Sequence, residues 1–284
     1  MENDVLTGLP YVEGTLQYLA DATEKPVTYM YTPPPGVPLR SGRYARYTVR
    51  IYDGRALLPQ LSLDRQGFLL MRHETAVTNF YDEQLVRAVY YPEVERLVKA
   101  VTGATRVLVF DHNVRCAPMA QRGENGAREP VKVAHNDYTV KSGPQRVRDL
   151  LPAQEAEALL QHRFAVINVW RPICGPVQEA PLAVCDAQSM VLRDFVATDL
   201  KYYDRTGEVY SVTFNPNHRW FYFPRMQRDE VLLLKCYDST TDGRARFTAH
   251  SAFDDPTSPP NAPARESIET RTLVFFAPQT AALH

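Results

Sequence analysis

The run Val131-Lys132-Val133-Ala134-His135-Asn136-Asp137-Tyr138-Thr139 decides how this chain is read. Val131 and Val133 alternate with other side chains, and Tyr138, Thr139 and Val140 carry the pattern on, as a half-buried strand does. A strand turns its side chains with a period of two, so His135 and Asp137 fall on one face. One imidazole and one carboxylate on a shared face make most of a facial triad. The full set, two His and one carboxylate, leaves open positions on an octahedral metal and is the ligand set of non-haem Fe(II) oxygenases.

The second histidine has to come from a distant part of the chain. Of the seven histidines, His73, His162 and His284 lie in polar or terminal surroundings and read as solvated surface. His112, in Phe110-Asp111-His112-Asn113-Val114-Arg115, is a candidate pocket residue. His218, in Asn215-Pro216-Asn217-His218-Arg219-Trp220, sits among turn-forming residues, and a turn holds a ligand less rigidly than a strand. His250, in Phe247-Thr248-Ala249-His250-Ser251-Ala252-Phe253, is therefore the preferred third ligand. A basic strand-like run follows it, Arg265-Glu266-Ser267-Ile268-Glu269-Thr270-Arg271, ending in Val274-Phe275-Phe276. An arginine there supplies a bidentate anchor for the carboxylate of a dicarboxylic cosubstrate. Arg265 and Arg271 share a face by period two, so either can serve.

Composition bounds the rest. With 284 residues the chain can bury a sizeable core, and 44% hydrophobic against 23% charged residues is an ordinary globular balance. The 32 basic and 33 acidic residues give a net charge of -1, which argues against nucleic acid as a partner. No apolar run approaches a membrane span. Met1-Glu2-Asn3-Asp4 is acidic and lacks a hydrophobic signal region, so a cytoplasmic location is expected. Cys116, Cys174, Cys185 and Cys236 show no paired spacing, which excludes a zinc ribbon or a disulfide framework. Cys185 and Cys236 read as small buried side chains.

The 22 prolines punctuate short strands. Tyr47, Val49 and Ile51 mark a strand closed by Asp53-Gly54. Residues 79–102 read as helix, with Pro92 in a first turn and Gly103 as its stop. Strands are expected at 106–110, 164–170, 181–186, 210–214, 220–223 and 230–238, and a second helix over 152–162. The Gly-rich, charged segment 121–130 reads as a mobile loop. The expected architecture is one domain over 1–284, mainly β with flanking helices. Residues 1–105 pack on a core of 106–276 that forms a double-stranded β-helix, or jelly roll, whose mouth gathers ligands from separated strands.

His135-Asn136-Asp137-Tyr138, Asn168-Val169-Trp170-Arg171-Pro172, Pro181-Leu182-Ala183-Val184-Cys185-Asp186, Trp220-Phe221-Tyr222-Phe223-Pro224 and Glu266-Ser267-Ile268-Glu269-Thr270-Arg271 together resemble the fungal and bacterial asaB-type hydroxylase/desaturase family. Tyr91-Pro92-Glu93 and Gly103-Ala104-Thr105 also fit it, so the resemblance spans nearly the whole chain. It implies an Fe(II)/2-oxoglutarate-dependent oxygenase acting with O₂ on a small specialised metabolite. It implies that His135, Asp137 and His250 are the iron ligands and that Arg265 with Ser267 is the Arg-x-Ser cosubstrate clamp. Asn168 is a further candidate for the cosubstrate; Arg115, Tyr138, Trp170 and Arg171 are candidates for the substrate.

In such a centre the difficult chemistry belongs to iron and cosubstrate, while the protein positions them and excludes water. Two other classes use the same residues: a catalytically silent metal-binding jelly roll that assists a partner enzyme, and a cupin-like isomerase or hydrolase. Homo-oligomerisation is compatible with the sequence. Neither the substrate nor the choice between hydroxylation and desaturation is written in it.

Overall fold

A computed structural model describes residues 6–21 and 23–278. His284 and the acidic run Met1–Asp4 lie outside the described residues. The strands in chain order are β1 (Tyr11–Asp21), β2 (Val27–Tyr29), β3 (Arg43–Asp53), β4 (Phe68–Arg72), β5 (Arg106–Arg115), β6 (His135–Asn136) and β7 (Phe164–Pro172). They continue as β8 (Leu182–Cys185), β9 (Phe195–Lys201), β10 (Thr206–Val212), β11 (Trp220–Tyr222), β12 (Glu230–Asp238), β13 (His250–Ala252) and β14 (Ser267–Phe275). Helices α1 (Glu83–Leu85), α2 (Tyr91–Thr102), α3 (Ala117–Gln121), α4 (Ser142–Leu150) and α5 (Ala153–Leu160) complete the fold.

Two sheets form a jelly roll. A nine-stranded sheet runs β1-β3-β11-β8-β13-β6-β10-β9-β2, and a five-stranded sheet runs β4-β12-β7-β14-β5. Phe164, Val166 and Trp170 of β7 meet Val184 and Phe221 of the larger sheet in the core between them. The outer face of the smaller sheet is covered by Val86, Tyr90, Val94 and Val98, which pack on Ile167, Val169, Leu233 and Ile268. Every residue of β7 and β12 is buried, which explains their near-continuous apolar sequences.

The N-terminal third does not simply pack on a core beginning at residue 106. β1 and β3 extend the larger sheet through β11, and β4 pairs with β12 in the smaller one. The helix expected over 79–102 begins at Glu83, where the Asp82 side chain accepts from the amides of Gln84 and Leu85. It passes through a π-helical turn, Val86–Tyr90, before α2. Gly103 stops it as expected, with φ 70° in the left-handed region. Among the described residues no helix is long and apolar enough to cross a membrane.

Candidate metal centre

β6 is only two residues long, shorter than the strand expected over the motif. Asn136 is the reason. Its buried amide donates to the carbonyls of Tyr138 (2.7 Å) and Cys236 (2.9 Å), and its Oδ1 accepts from Thr248 N (3.1 Å). The chain bends after Asn136, so a side-chain-tied turn, not strand alternation, carries Asp137 to the side of His135. The same Asn136 contact fixes Thr248, two residues before His250.

His135 and His250 face each other directly across the antiparallel pairing of β6 and β13, with ring centroids 4.4 Å apart. Each is oriented in the same way. His135 Nδ1 lies 2.7 Å from Val133 O, and His250 Nδ1 lies 3.0 Å from Thr248 O. A carbonyl only accepts, so each Nδ1 carries the proton and each Nε2 presents a lone pair. Asp137 Oδ1 stands 3.5 Å from His135 Nε2 and 3.9 Å from His250 Nε2. The ligand atoms of the three residues lie within 4.8 Å of one another.

The five-stranded sheet holds the other oxygen. Asp137 Oδ2 accepts from Asn168 Nδ2 of β7 (2.8 Å) and Arg271 Nε of β14 (3.1 Å). Burial works against the Asp137 anion, but the Arg271 guanidinium outweighs it and holds its pKa well below the usual carboxylate range. Burial also lowers the His250 pKa, helped by His135, which favours the neutral ring that ligates. Two borderline nitrogens and one hard oxygen, converging from one side with both rings fixed and Oδ2 occupied, suit a first-row divalent metal with open positions.

Arg271 is fully engaged. Besides Asp137 it binds Glu269 (2.9 Å) and Asp111 (3.4 Å). Arg265 lies in a different environment. It is buried, its Nη1 donates to Ala180 O (2.6 Å), and its guanidinium lies 5.5 Å from the Trp170 ring. Its Nε and the Ser267 hydroxyl are buried without a partner. Burial, with Arg115 nearby, pushes the Arg265 pKa down to about 9. A buried cation with an orphan donor next to a second cation is poised to accept an anion. Arg265, Arg115, Trp170, Glu269 and both histidines line a small cavity of about 20 Å³. That is roughly one water's room.

A larger cavity of about 530 Å³ reaches His135, Asp137 and Arg271 from outside, and Tyr138 and Arg115 line it. The two cavities share Arg115, Val131 and His135. Asn168 donates to Asp137 and to Glu269 (3.1 Å), so its amide N–H groups serve the metal side of the site.

Arg171 is corrected as a substrate candidate. It alternates with Trp170 and points through the opposite face of β7. There its Nη2 meets His73 O (2.6 Å) and Nδ1 (2.9 Å), and its guanidinium lies over Tyr90. His73 is thus half-buried and partnered rather than freely solvated. His112 is corrected in the same way. A bulge in the β5·β14 pairing opposite Arg271–Thr272 shifts the phase of β5, so Asp111, Asn113 and Arg115 face the cavity. His112 turns outward to Tyr91 Oη (2.9 Å) and Glu83 (3.3 Å). His218 binds Asp194 (3.1 Å) and stacks on Tyr18. The sequence reading missed Glu269 and Asn136. The charged alternation Glu269, Arg271 in an otherwise uncharged strand was the available signal for the first.

The site can be set beside known proteins. A family model described as an oxidoreductase/YMDC permease-like domain matches residues 16–275. The chain is 38% identical to the hydroxylase/desaturase efuI of Hormonema carpetanum, over 84% of this chain and 86% of that protein. It is 43% identical to the hydroxylase/desaturase asaB of Aspergillus flavus, over 48% of this chain and 66% of that protein. The solved structure of the iron and alpha-ketoglutarate-dependent endoperoxidase NvfI superposes with a TM-score of 0.84 at 30% identity, covering 94% of this chain and 98% of that one.

Proposed function

The chain belongs to the asaB-type hydroxylase/desaturase family within the Fe(II)/2-oxoglutarate-dependent dioxygenases, and from that premise we propose that His135, Asp137 and His250 hold its iron. It is an oxidoreductase of specialised metabolism that uses Fe(II), 2-oxoglutarate and O₂ on a small molecule. Bound iron and 2-oxoglutarate supply the oxidising power for C–H oxidation, whether hydroxylation or desaturation.

The observation that carries the assignment is the division of labour at Asp137. Oδ1 faces the two Nε2 lone pairs, while Oδ2 is held by Asn168 and Arg271 from the opposite sheet. A carboxylate held in this way would offer a metal one oxygen, and iron held there would supply the oxidising chemistry with cosubstrate and O₂. Arg265, with Ser267, takes the distal carboxylate of 2-oxoglutarate. Its free Nε is the donor that such a carboxylate satisfies, and Trp170 walls the site. Arg115 and Tyr138 belong to the wall that meets substrate.

Anaerobic titration with Fe(II), followed by 2-oxoglutarate decarboxylation in air, tests this. His135→Ala and Asp137→Ala should each lose stoichiometric iron and all turnover. Full iron occupancy in either variant would remove these residues from the ligand set.

A further inference from the structure

We propose that the large cavity selects an organic anion, a carbon skeleton bearing a carboxylate, and holds that group at its rim with Arg40, Arg128 and Lys141; this rests on the site reading above. The chain as a whole carries a net charge of -1, yet nine cationic and five anionic side chains line this one cavity. The acids are already answered. Lys25 binds Asp199 and Glu208 at 2.5 Å each, Arg271 binds Asp137 and Asp111, and Arg146 lies 3.8 Å from Asp149. Arg40, Arg128 and Lys141 have no carboxylate within salt-bridge distance among the described residues.

These three come from separate parts of the chain. Arg40 lies between β2 and β3, Arg128 beside the end of β5, and Lys141 at the N-terminal end of α4, whose dipole adds to the positive potential. The cavity also has apolar wall, from Met30, Val131, Val133, Tyr138, Leu200 and Val209. A cleft with surplus charge of one sign, set in low-dielectric walls, focuses its field on the ligand. Exposed cations at the rim and the buried Val133 and Tyr138 beside the metal residues orient an amphipathic anion with its charge outward. Its carbon skeleton then lies toward His135 and Asp137, so oxidation falls on carbon remote from the carboxylate.

The test uses two probes of one skeleton, 1-pyrenebutyrate and 1-pyrenebutanol, followed by fluorescence under anaerobic conditions. The protein is loaded with Fe(II) and saturating 2-oxoglutarate, so that the cosubstrate site is filled. The carboxylate should bind at least about tenfold tighter than the alcohol, the scale of one charge-assisted hydrogen bond. The preference should shrink at high salt. In Arg40→Gln/Arg128→Gln/Lys141→Gln the carboxylate should fall to the affinity of the alcohol, with the alcohol unchanged. Equal affinities in the unaltered protein, no binding of either probe, or a preference that survives the triple substitution would each overturn the proposal. Substrate-free 2-oxoglutarate turnover by the unaltered protein, from the same preparation, separates the two readings. Turnover without the carboxylate preference defeats only the rim, whereas absent turnover defeats the oxygenase site.

Discussion

At the scale of the residue, two arginines, Arg265 just before β14 and Arg271 within it, sit in different environments, because one is saturated and the other is not. Arg271 is bound by Asp137, Glu269 and Asp111, and those anions raise its pKa well above the usual value despite its burial. Arg265 keeps an orphan Nε and a depressed pKa. Arg265→Ala should therefore raise the apparent KM for 2-oxoglutarate by roughly 10- to 100-fold with iron still bound, the worth of a charge-assisted bidentate contact. Arg271→Ala should instead weaken Fe(II) binding by roughly 10- to 100-fold, since it leaves Asp137 Oδ2 held by Asn168 alone. Metal titration and steady-state kinetics on both variants decide this, and the reverse pattern would move the clamp to Arg271. Asn136 makes a third case. Its side chain satisfies two carbonyls and one amide in a buried place, each costly to leave unpaired. Asn136→Ala should destabilise the fold by about 3 kcal/mol or more in urea unfolding. A loss below about 1 kcal/mol would show that the turn holds itself.

At the scale of the element, legibility followed burial on both faces. β7 and β12 stand out in the sequence because each is a near-continuous apolar run under cover on both sides. α4 was hidden because it opens Ser142-Gly143-Pro144 and buries only Gly143 and Val147, too little for a helical stripe. The β5 bulge was equally hidden, and it alone decides that Arg115 and not His112 meets the cavity. The grouping of His135, Asp137 and His250 was legible by residue type, although a turn rather than a strand creates it. Its clasp was not, since Asn168 and Arg271 come from 31 and 134 residues away from Asp137. The segment 121–130 gives a prediction at this scale. Its end is tied to β5, with Arg128 N donating to Val114 O (3.0 Å) and Arg115 Nη1 to Glu129 O (2.8 Å), while the stretch 121–126 is exposed. We read that stretch as a lid hinged on the tie. Removing residues 123–126 should admit water and raise 2-oxoglutarate turnover not coupled to product. Unchanged coupling in a variant that folds and binds iron would reject the lid.

At the scale of the whole molecule, protons act on the fold from several sides at once. His73 is wedged against Arg171 beyond β4, His112 lies on the outer face of β5 beneath Tyr91, and His218 stacks on Tyr18 beside Asp194. Burial lowers the pKa of all three below the ordinary histidine value, even where Glu83 or Asp194 pulls the other way. Each therefore binds fewer protons folded than unfolded, so stability rises with pH through this range. Their contribution is complete above the unfolded value of about 6.5 and drains away as pH falls below it. Asp64, Glu208 and Glu230 are lowered too, but a carboxylate starts from about 4, so its share persists until far more acidic conditions. Between pH 7.5 and 5.5 the histidines are thus the groups that matter. Because the three sit against both sheets, loss at any of them loosens a structure the others share, and the melting transition should stay single. In the presence of EDTA, which removes metal linkage, Tm should fall on the order of several degrees from pH 7.5 to 5.5. His112→Gln should make that slope shallower. A flat or rising Tm over the interval, measured by circular dichroism, would show that these histidines accept protons in the folded state as readily as in the unfolded chain.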